Sequence, residues 1–155
     1  MKPYIKVGLL VGAIGLVLNI CIAAAMGVCG PLVSLLAGAA AGYFTAAREK
    51  AATKADGARL GLISGGIAGA LIVVGQILGG IASLALVQAG GMKLPFGTVP
   101  DLANGPQSAV YYISGLGTAM CFGIVGMVLA ALVAAGVAYL TTSPQPQPPG
   151  LSVGE

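Results

Sequence analysis

The chain has 155 residues, 57% of them hydrophobic and 7% charged, with a net charge of +3 and a mean hydropathy of +1.00. Soluble domains carry about 25% charged residues, so the composition predicts an integral membrane protein with almost no soluble portion. There is no His and no Trp, and the only acidic residues are Glu49, Asp56, Asp101 and Glu155. The basic residues flank apolar runs, which makes them topology signals and argues against nucleic acid as a partner.

Four apolar stretches follow one another. The first span runs from about residue 7 to 28 and opens with Gly8, Gly12 and Gly15. Lys2 and Lys6 precede it, and Ala23-Ala24-Ala25 resembles a cleavage site. The run is nonetheless longer than a usual signal-peptide core, and a second apolar span follows at once, so a retained helix is expected. Cys29-Gly30-Pro31 predicts a tight turn, because Gly relaxes the backbone and Pro suits the first turn of a helix.

The second span, residues 31 to 47, is short and holds Gly38 and Gly42. The charged stretch AREKAATKADGAR then reads as helix continuing until a break near Gly57, with Glu49 and Asp56 as ordinary solvated charges. The third span, residues 59 to 88, has no charge after Arg59 and places Gly61, Gly65 and Gly69 four apart. Such a ladder leaves one helix face without side chains. In lipid, where no hydrophobic force drives helices together, that face lets another backbone approach closely.

Residues 89 to 108 carry Pro95, Pro100 and Pro106, which predicts an irregular outer loop. The fourth span, residues 109 to 140, spaces Gly115, Ala119 and Gly123 four apart. The tail, 143 to 155, is Pro-rich and should be extended.

Six of the seven basic residues lie in the N-terminus and the middle loop, and only Lys93 lies in the long loop. The positive-inside rule then puts both termini and the middle loop in the cytoplasm. Tyr43 and Tyr139 fall near that interface, and Tyr111 and Tyr112 near the other. The fold class expected is an all-α, four-helix membrane bundle. A match of Lys6–Gly12 to Arg59–Gly65, and of Gly42-Tyr43 to Ala138-Tyr139, suggests two tandem hairpins.

Length and Gly/Ala richness resemble the four-helix proteolipid rings of rotary ATPases. Those rings need a carboxylate in the middle of a helix, and no span here supplies one. The stretches AGAAAG (37–42) and GARLGLISG (57–65) also resemble small, uncharacterised prokaryotic four-helix membrane proteins with glycine-zipper spans. That resemblance covers about residues 27 to 80 and implies a bacterial or archaeal inner membrane.

With no His, no carboxylate inside a span and no CxxC pair, neither catalysis nor a metal or other cofactor is expected. Cys21 and Cys121 read as small hydrophobes, while Cys29 sits at an outer turn, the one cysteine placed for a disulfide with a partner. Asn19 and Gln76 are the notable buried polar residues, expected to act as glue between helices. The expected function is a non-catalytic structural or accessory subunit. Its helix-packing residues are Gly8, Gly12, Gly38, Gly42, Gly61, Gly65, Gly69, Gly115, Ala119 and Gly123, and its partners are lipids, other membrane subunits or copies of itself. The alternatives are a homo-oligomeric pore or carrier for a neutral solute lined by Ser64, Gln76 and Ser114, or a binder of a hydrophobic cofactor or lipid.

Overall fold

The structure, a computed structural model, describes residues 1–26, 30–88 and 106–143. Cys29, the predicted loop as far as residue 105, and the tail from residue 144 lie outside the described residues, as do the side chains of Tyr111 and Tyr112. The described chain is all-α, with four helices and no strand: α1 (Pro3–Met26), α2 (Gly30–Arg48), α3 (Lys54–Gln88) and α4 (Pro106–Thr141). Three of them are long and apolar enough to cross a membrane, with qualifying stretches Pro3–Ile22, Lys54–Ser83 and Ile113–Thr141. The described part of α2, Leu32–Arg48, is a shorter apolar helix.

The helix starts have local causes. Pro3 and Pro106 are the first helical residues of α1 and α4, where a missing N–H costs nothing and φ is already set. The Lys2 carbonyl accepts from Ile5 N and Lys6 N at 3.1 and 3.3 Å, closing the first turn of α1. The break between α2 and α3 is not at Gly57, as the sequence suggested. It lies at residues 49–53, because Thr53 caps α3. Its hydroxyl accepts from Asp56 N at 3.1 Å and donates to Asp56 Oδ2 at 2.7 Å, so the Thr-x-x-Asp spacing starts a helix that already contains Gly57.

Successive helices run antiparallel. Gly61 lies against Ala138, and Gly80 against Ala119, so α3 and α4 are antiparallel; Gly38 and Gly42 meet Ala130 and Ala134 in ascending order, so α2 and α4 are parallel. Gly8 and Gly12 likewise meet Ser64 and Ala68 in ascending order, which makes α1 and α3 parallel. The core is built from Val7, Val11, Ala37, Ala41, Ala68, Ile72 and Ala134. Although the two hairpins run in the same direction, they are not related by a two-fold axis: among the described residues α2 packs on α3, whereas α1 and α4 are not neighbours.

The charged segments gather at one end. Tyr4 N donates to Glu49 Oε1 at 3.1 Å, tying the α2–α3 connection to the start of α1. Lys54 Nζ stands 5.6 Å from the Tyr139 ring centre, and Thr142 covers Gly57, which brings the end of α4 to the start of α3. Glu49 is therefore more than a solvated charge. It satisfies an orphan N–H at a helix N-terminus, where the macrodipole also favours an anion.

Candidate functional site: the glycine-lined helix contacts

Two glycine faces converge on α4. A Cβ placed on Gly38 would sit 2.5 Å from the Ala130 carbonyl oxygen and 2.8 Å from its Cα; one on Gly42 would meet the Ala134 carbonyl oxygen closer still. From α3, a Cβ on Gly61 would fall 2.6 Å from Ala134 O and from Ala138 Cβ, and one on Gly65 would meet Ala134 Cβ and lie 2.8 Å from Ala130 O. Gly69 continues the row onto Met127, whose Cα would be 2.9 Å away. At each position a hydrogen points where the Cβ would be. The backbones approach to a distance that only glycine permits, and Cα–H groups face carbonyl oxygens in weak contacts of about 0.5–1 kcal/mol each.

The surface that receives both faces is Ala130, Ala134 and Ala138, all fully buried. This alanine ladder was not singled out in the sequence, because the stretch LAALVAAGVAYL also carries Ala131 and Ala135 beside it. Its spacing of four was the available signal. α4 is thus wedged between α2 and α3 along its last three turns.

α1 is seated on α3 by the same means. A Cβ on Gly8 would lie 2.7 Å from Ser64 O, one on Gly12 2.9 Å from Ala68 Cα, and one on Gly15 3.1 Å from Ile72 Cγ1. Gly75 returns the contact, since its Cβ would be 2.9 Å from Leu16 O.

The remaining expected packing residues divide. Gly123 is buried with Val73 Cγ1 3.3 Å from its would-be Cβ, and Ala119 is half-buried, 3.9 Å from that of Gly80. Gly115 is exposed with nothing within 4 Å, as is Gly117 close by. Among the described residues, Gly115 packs no helix.

Asn19 is fully buried and donates through Nδ2 to the Ile72 carbonyl at 3.1 Å, a hydrogen bond that joins α1 to α3. Gln76, 6% exposed, follows Ile72 by one turn on α3. Asn19 Oδ1, Gln76 Oε1, Ser64 Oγ and Thr45 Oγ1 are buried and accept or donate no hydrogen bond within the described chain. Ser34 is fully buried beside Gly126. Ser64 and Gln76 face inward, whereas Ser114 is exposed on α4, so the three do not line one passage through a single chain. Among the described residues, no group of three His, Cys, Asp or Glu side chains is placed to hold a metal. Cys21 and Cys121 are free thiols on the outer surface.

No protein-family model matches this chain, and no curated protein or solved structure matches it either.

Proposed function

We propose that the chain is an integral membrane protein of four spans, seated in a prokaryotic inner membrane with its charged end in the cytoplasm, and that it serves as a non-catalytic structural or accessory subunit. The observation that carries this reading is the clamp on α4: glycine faces of α2 and α3 closed on Ala130, Ala134 and Ala138, with backbone meeting backbone. That mode of packing suits lipid, where close contact must replace hydrophobic drive.

The outer surface supports the same reading. Leu10, Leu36, Ile81, Ile113, Leu132 and Leu140 are all at least half exposed, and they ring the bundle with apolar groups. α2, with 19 residues, is about 28 Å long at 1.5 Å per residue, close to the roughly 30 Å of a bilayer's hydrocarbon core. Lys2, Arg48, Lys54 and Arg59 share one end of the bundle, which the positive-inside rule assigns to the cytoplasm.

The test has two arms. A single cysteine introduced at Ala52 should react with an impermeant maleimide only in opened cells, and one at Gly97 should react in intact cells. Extraction in a mild detergent should yield an assembly larger than one chain. Equal labelling of both positions from one side would refute the topology. A monomer that conducts a neutral solute in liposomes would refute the accessory role.

A further inference from the structure

We propose that the layer formed by Asn19 and Gln76 is a binding site for a small neutral hydrogen-bond donor, occupied by a water molecule held between Asn19 Oδ1 and Gln76 Oε1. The two residues belong to one layer by register. α1 and α3 run parallel, Gly15 rests on Ile72, and Asn19 and Gln76 each lie one turn beyond that contact. Gly75 lets the two backbones close in at Leu16, and Asn19 then reaches the Ile72 carbonyl at 3.1 Å.

The amide orientation of Asn19 follows from that bond. A backbone carbonyl only accepts, so Nδ2 must face Ile72 and Oδ1 must point elsewhere. Asn19 Oδ1 and Gln76 Oε1 are both buried and receive no donor from the described chain. Buried acceptors left without partners are costly, and a polar site with two or more partners is where internal water is held.

The chemistry also selects against other guests. A quinone or ketone brings only acceptors and would leave Asn19 Oδ1 and Gln76 Oε1 without a donor. Water, or the hydroxyl of an alcohol, brings the protons that Asn19 Oδ1 and Gln76 Oε1 lack. A metal cation would meet only neutral oxygens, with no carboxylate in any of the four helices except Asp56 at the far end of α3.

The experiment uses the full chain in detergent micelles with ¹⁵N-labelled Asn and Gln side chains. Dipolar cross-peaks between water and the Asn19 and Gln76 amides are measured, with chemical exchange separated by its opposite sign in the rotating frame. Long-lived water cross-peaks are expected at both side chains in the wild-type protein. Gln76→Met keeps the length of the side chain and removes its oxygen, so the Asn19 cross-peak should disappear. Absence of the wild-type cross-peaks would overturn the proposal, and so would an Asn19 cross-peak unchanged in Gln76→Met. The wild-type measurement decides the matter even where the variant does not fold.

Discussion

The two ends of α4 are both rich in small residues and have opposite surroundings. Ala130, Ala134 and Ala138 are sealed between glycine faces, while Ile113 to Thr118 are exposed at every position, with Gly115 and Gly117 open. The difference comes from the neighbours. α2 starts at Gly30 and its Ser34 already lies beside Gly126, so it is too short to flank the N-terminal third of α4. A small residue contributes to packing only where a second backbone is present to meet it.

Substitutions should separate the two ends. Gly42→Leu drives a side chain into the Ala134 backbone, which has no flexible end to move aside. The expected loss exceeds the roughly 1–3 kcal/mol typical of an overpacked core and should appear as a collapse of the thermal transition in detergent. Gly12→Ala is a milder version on α1. Its Cβ would meet the movable end of Leu71 at 2.6 Å but also Ala68 Cα at 2.9 Å, so a cost of about 1–2 kcal/mol is expected by the same assay. A wild-type melting temperature for Gly42→Leu would show that the clamp on α4 is not closed in solution.

The charged end offers smaller effects that calibrate the large ones. Thr53→Ala removes the cap of α3 and should cost about 1 kcal/mol, with amide exchange accelerated at Asp56. Glu49→Gln keeps an acceptor for Tyr4 N but loses the charge at the N-terminus of α1. The expected change is about 0.3–1 kcal/mol and should shrink as salt is added. Loss of helix content in either variant would mean that this end matters more to the bundle than the glycine contacts do.

The helices were legible in the sequence because uncharged runs and Gly-Pro punctuation are strong signals. Most of the glycine ladders were too, since Gly8, Gly12, Gly38, Gly42, Gly61, Gly65 and Gly69 all meet a neighbouring helix. The start of α3 was misplaced because Gly57 looked like a breaker, whereas the Thr53–Asp56 cap a few residues earlier governs the chain. Ala130, Ala134 and Ala138 stayed hidden because an alanine ladder within alanine-rich sequence has no contrast. Gly115 shows the converse: spacing of four marks a face that can be approached, but it does not say whether this chain supplies the partner.

The most direct test of the account compares Gly115→Leu with the wild-type protein, both extracted from native membranes in a mild detergent and weighed intact by native mass spectrometry. Gly115 meets nothing among the described residues, so the variant should melt like the wild type while losing mass from the assembly. An unchanged assembly, or a wild-type chain that emerges alone, would contradict the view that this protein's work is to be packed against.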